Sequence, residues 1–166
     1  MLDRGAAISN IFAMSRIYFE DFVPGAVATY GPRTVTRQEI IAFASEFDPQ
    51  PMHLDEEAAK KTMLGGLSAS GWHSCAIMMR LLCDGLALHS SSMGAPGVDE
   101  VKWLKPVRPG DSLSARVTVL DKRAPKTRPH MGFVQFRCEM LNQHGEVVLE
   151  ANYPGMFAKR NREAAE

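Results

Sequence analysis

The stretch from Gly71 to about Leu88 constrains the fold most. Trp72, Cys75, Ile77, Met78, Met79, Leu81, Leu82, Cys83 and Leu86 leave no side of a helix clearly polar, and a helix apolar on nearly all sides is a buried one. At ~1.5 Å per residue it would run about 27 Å, close to the width of a small domain. Arg80 and Asp84 stand inside the stretch, and charges at such depth cost several kcal/mol in lipid. The stretch is therefore expected to be the spine of a soluble domain, with the rest of the chain wrapped around it.

The wrapping is predicted to be β-structure. Residues 26 to 35 suit a strand, and Val98 to Leu104, Ser112 to Leu120, Phe133 to Leu141 and Val147 to Phe157 read as four more, separated by turns at residues 106–111 and 142–145. Strands on both sides of one central helix argue for an α+β fold in which an antiparallel sheet encloses that helix. At 166 residues the chain suits one domain. Residues 1–15 show no period and read as a loose arm, residues 16–160 as the domain, and residues 161–166 as a tail.

Two further helices are expected before the spine. Thr36 and Glu39 form a capping-box pair, and Ile40, Ile41, Ala44 and Phe47 give the helix after them an apolar face. Pro49 and Pro51 are predicted to stop it and to leave a stiff, extended link. Asp55 to Met63 continues as a short helix, acidic at its start and basic at its end. The run Gly65 to Gly71 is too small to fill space, so a ligand or another backbone can come close. Ser70 suits the N-cap of the spine.

Asp48 and His53 are brought together by that link. Asp48 alone reads as the start of an Asp-Pro turn, and His53 alone as a structural histidine. Joined by two prolines, they offer a carboxylate and an imidazole in a fixed relation, ahead of a helix start whose amides lack intrahelical acceptors. His73, in the first helical turn, is expected neutral and used in packing or pocket lining, and Met79 as core and pocket wall. Nineteen basic residues balance nineteen acidic ones, which gives the chain no general attraction to nucleic acid or acidic membranes. Lys102, Lys105, Arg108, Arg116, Arg123, Lys126 and Arg128 gather in the second half, where they suit either solvated faces or a local phosphate site. Cys75, Cys83 and Cys138 have no metal-ligand spacing, so a reducing cytoplasm and no metal are expected. No signal peptide is expected.

The ordered set Tyr18-Phe19-Glu20-Asp21-Phe22, Thr34-Val35-Thr36, Phe43-Ala44, Asp48 to His53, Gly65-Gly66-Leu67, Ala69-Ser70-Gly71 and Pro106-Val107-Arg108-Pro109-Gly110-Asp111 resembles the MaoC-like dehydratases, which include the R-specific enoyl-CoA hydratases. The likeness covers about residues 18–157. It implies a hot-dog fold, a curved antiparallel sheet around one long helix, paired as a homodimer or a dimer of dimers with the acyl-thioester site at the interface. It implies a hydro-lyase acting on a 2-enoyl-CoA, with Asp48 and His53 as the catalytic pair and the Gly71 amide facing the thioester carbonyl. The coenzyme A thioester is then the substrate, with no separate cofactor. Ser70, Trp72, His73 and Met79 become candidate pocket residues. Ser70 stands where many of those hydratases have histidine, and Met79 where they often have serine; the missing serine implies either a differently shaped acyl pocket or a relative that binds thioesters without hydrating simple ones. A thioesterase on the same fold and a non-catalytic acyl-thioester-binding module are the alternatives.

Overall fold

The computed structural model describes residues 16–160; the expected arm and tail lie outside the described residues. Five strands form one antiparallel sheet, β1 (Val27–Thr34), β2 (Glu100–Trp103), β3 (Ser112–Arg123), β4 (Met131–Leu141) and β5 (Val147–Ala158), in the order β1-β3-β4-β5-β2. Each predicted strand is present, with ends shifted by at most three residues. The sheet curves around helix α4 (Gly71–Gly85), preceded by α1 (Arg37–Phe47), α2 (Pro51–Leu54) and α3 (Glu56–Lys60).

Alternation along the strands sets which face is buried. Leu113, Ala115, Val117 and Val119 of β3 and Val134, Phe136, Cys138 and Met140 of β4 point inward and meet Ile77, Met78, Leu81 and Leu82 of α4. Phe136 is the largest fully buried side chain. Residues 16–22 close one end of this core: Phe22 lies against Phe136 and Phe157 with ring centroids 5.6 and 4.4 Å away. Phe19 occupies the space above Gly132, where a Cβ would come within 2.2 Å of its ring.

Three expectations need correction. The spine helix ends at Gly85, at ~1.5 Å per residue about 22 Å long, and Ala87–His89 form a separate 3-10 turn. At Gly85 a Cβ would stand 2.1 Å from the Tyr30 ring of β1, so glycine lets strand and helix meet there. Nor is α4 buried all round, since Trp72 is 63% and Met79 51% exposed. Its apolar composition hid a face that the sheet does not cover. Third, the link from Asp48 to His53 is not extended: Pro51 occupies the first turn of α2, where its missing N–H is harmless, and the predicted 55–63 helix is confined to Glu56–Lys60.

Candidate active site

The carboxylate of Asp48 is built by three elements. α1 ends at Phe47, and the Asp48 N–H still donates to Ala44 O at 3.0 Å. A carboxylate there meets the negative end of the helix dipole, and the fold compensates with donors. Ser70 Oγ donates to Asp48 Oδ2 at 2.6 Å and Gln50 Nε2 to Oδ1 at 2.7 Å. These two bonds, that from Ser70 foremost, hold the Asp48 carboxyl below the usual carboxylate range, with nearby His53 a smaller contributor. Ser70 also caps α4, its Oγ accepting from Trp72 N at 3.2 Å. One hydroxyl thus joins the start of the central helix to the acid.

His53 sits in the single turn of α2 and is 7% exposed. Its Nδ1 lies 2.8 Å from Ser68 O. A carbonyl accepts only, so Nδ1 carries the proton, and in the neutral ring Nε2 is left as an acceptor. Nε2 stands 3.6 Å from Asp48 Oδ2, beyond a direct hydrogen bond and within the span of one bridging water. Two acceptors therefore lie close enough for one donor of two protons, resting beside them, to reach both.

Both side chains line a cavity of about 540 Å³, whose other walls include Met52, Leu64, Gly71, Trp72, Trp103 and Val107. Gly71 is the first residue of α4, so its amide has no acceptor within the helix. Trp103, from the end of β2, donates from Nε1 to Gly71 O at 2.9 Å and meets Trp72 edge-on, ring centroids 5.5 Å apart.

Of the remaining candidates, Trp72 lines the cavity, whereas Ser70 lies behind it as the partner of Asp48. Met79 is on the uncovered face of α4, outside the cavity lining. His73 is also outside that lining: it stacks on Phe43 with centroids 4.6 Å apart and 8° between planes, and its Nδ1 has no hydrogen-bond partner. Burial pushes its imidazole below the ordinary value, with Glu39 opposing and Arg33 adding to that shift. The unfolded chain therefore takes up this proton more readily than the folded one. Stability is full above the ordinary imidazole pKa of ~6.5 and is lost as pH falls through it, by up to about 1.4 kcal/mol per pH unit. Urea midpoints between pH 8 and pH 5 should fall more steeply for the natural chain than for His73→Phe, which keeps the stack without the titration; parallel curves would contradict this.

Five of the seven basic residues singled out are engaged separately. Lys102 pairs with Glu100, Lys105 with Glu146 and Arg116 with Glu139, Arg123 lies over the Phe133 ring, and Arg108 points at backbone carbonyls. Of the seven basic residues singled out, Lys105 alone lines the cavity. Among the described residues no cluster of three or more His, Cys, Asp or Glu is arranged to hold a metal, and no helix is long and apolar enough to cross a membrane. Gln50, Ser68 and Trp103 were not legible as site residues.

A family model described as the MaoC like domain matches residues 21–134. The chain belongs to the MaoC-like family. The crystal structure of a MaoC-like dehydratase from Rhodospirillum rubrum is similar to it at a TM-score of 0.81 and 42% identity, covering 87% of this chain and 98% of that one. An (R)-specific enoyl-CoA hydratase of Rhodospirillum rubrum is 30% identical over 151 residues, 86% of this chain and 93% of the relative. The uncharacterized protein YdeM of Bacillus subtilis is 34% identical over 131 residues, 79% and 92% of the two chains. The sheet and helix of this MaoC-like chain are the hot-dog fold of these relatives.

Proposed function

We propose that the chain is a hydro-lyase that adds water reversibly to a 2-enoyl-CoA. The observation that carries this is the 3.6 Å gap between Asp48 Oδ2 and His53 Nε2, on the wall of a mainly apolar cavity beside a helix N-terminus. A water lying beside the pair, about 2.8 Å from each atom, gives one hydrogen to each acceptor and keeps its lone pairs for the β-carbon. Asp48 Oδ2 already accepts from Ser70, whereas the lone pair of His53 Nε2 has no protein donor among the described residues. His53 Nε2 therefore takes the water proton as hydroxide bonds to the β-carbon and the π electrons move onto the thioester oxygen. Asp48 stays ionised and stabilises the imidazolium. The Gly71 amide and the positive end of the α4 dipole meet the oxyanion. Nε2–H then protonates the α-carbon, which restores the carbonyl and returns the histidine to its starting form.

The hydratase among the relatives supports this assignment. Loss of the enoyl-thioester ultraviolet band of crotonyl-CoA with purified protein is the expected result. No change with short and longer enoyl-CoAs would reject it, and release of free thiol would indicate a thioesterase instead. The uncovered face of α4 and the free edge of β2 support a homodimer, which a solution mass of one 18.3 kDa chain would exclude.

A further inference from the structure

The tautomer of His53 depends on a carbonyl that no regular element holds. Ser68 lies between α3 and α4, in a segment with neither helix nor strand from residue 61 to residue 70. Ser68 O shares a peptide plane with Ala69 N, whose bond to Val107 O at 2.9 Å sets that plane from the far side, so its position also depends on where the residues before it are held. The carbonyls of those residues are gathered by one side chain: Arg108 Nη1 donates to Gly66 O and, at 3.2 Å, to Leu67 O, and Nη2 donates to Leu64 O. From the other side Glu56 Oε2 accepts from Leu67 N at 3.2 Å.

Resting on the hydratase reading above, we propose that Arg108 is a positioning residue for His53, its guanidinium holding residues 64–67 so that the Ser68 O that follows fixes the imidazole with Nε2 facing Asp48. Arg108 makes no carboxylate ion pair among the described residues, so its charge is directed at the three carbonyls. Those carbonyls converge, and without a cation their negative ends would repel. Gly65 has φ +67°, a conformation that favours glycine, and at Gly66 a Cβ would stand 3.3 Å from Nη1. Small residues let the guanidinium close on the backbone.

Arg108 is itself held from behind. Its N–H donates to Asp111 Oδ2 at 2.7 Å, and the other oxygen of that buried carboxylate accepts from Gln143 Nε2 at 3.0 Å. Pro106 and Pro109 flank it. A planar fork of fixed donors suits carbonyls in several directions, which a lysine ammonium meets as a single point. The Pro-Val-Arg-Pro-Gly-Asp segment and the Gly-Gly-Leu segment thus form one device, the first gripping the second.

Arg108→Lys keeps the charge and loses the fork; Arg108→Ala loses both. We expect kcat on crotonyl-CoA to fall about tenfold or more in Arg108→Lys with KM within about twofold, since ~1 Å of misplacement can cost ~10²-fold. Millimolar guanidinium should restore part of the activity of Arg108→Ala. Imidazole ¹⁵N correlation spectra, with His53 assigned by its absence in His53→Gln, should show the Nδ1–H tautomer in the natural chain and a mixture in Arg108→Lys. A lower melting temperature with natural tautomer and natural kcat would overturn the proposal and make Arg108 a loop staple only. If the natural chain shows no turnover, the hydratase reading fails, while the tautomer comparison still decides whether Arg108 sets His53. Should Arg108→Ala not fold, Arg108→Lys carries the same decision.

Discussion

Asp48→Asn will lower hydratase turnover by at least about a hundredfold, within the ~10²–10⁴ range of positioned acid–base groups, while a saturated acyl-CoA binds with little change. Asparagine has the same shape, and its oxygen can still accept the bond that Ser70 Oγ now makes at 2.6 Å. The charge is what disappears. Asp48 is kept ionised by Ser70 and Gln50, and in the proposed step it meets an imidazolium 3.6 Å away, whose formation becomes harder once the carboxylate is gone. A loss in kcat with KM preserved is the pattern of an interaction made in the transition state. Single-turnover and steady-state rates on crotonyl-CoA measure it, with near-ultraviolet circular dichroism as the fold control. Turnover within tenfold of the natural chain would remove Asp48 from the chemistry.

Features made by residues close in sequence were legible before any coordinates. The capping box is as expected, Thr36 Oγ1 accepting from Glu39 N at 3.1 Å and Glu39 Oε2 from Thr36 N at 2.8 Å, because all its atoms lie within one turn. Ser70 as the cap of α4 and the alternation of β3 and β4 belong to the same class. What failed to show were bonds that close only in the tertiary structure. Ser70 donates across 22 positions to Asp48, His53 meets the carbonyl of Ser68, and Arg108 reaches back more than 40 positions to Leu64. Each partner satisfies a local rule by itself, as cap, turn histidine or surface cation, and nothing local announces the second bond. Trp103 was hidden for another reason. Its strand, β2, pairs with β5, and only that order carries an indole from the end of β2 to the start of α4.

Gly71→Ala should lower kcat by about 10²–10³, the loss typical for one oxyanion donor, and Trp103 should be the cause. A Cβ at residue 71 would lie 2.6 Å from Trp103 Cε2 and 2.7 Å from Nε1, closer than a methyl group and a ring can approach. Alanine is the better helix former by up to ~1 kcal/mol, so helix propensity alone would raise stability. The overlap instead forces the indole outward or turns the first residue of α4. Trp103 is 49% exposed and can yield, but moving it breaks its bond to Gly71 O, and tilting the helix start re-aims the Gly71 amide. Trp103→Ala removes every ring atom from that space. In the Trp103→Ala background, adding Gly71→Ala should therefore cost less than about tenfold, a non-additivity expected only of residues in contact. Equal losses in both backgrounds would mean that the methyl group obstructs the substrate itself, and no loss in the natural background would show that the Gly71 amide does not meet the carbonyl.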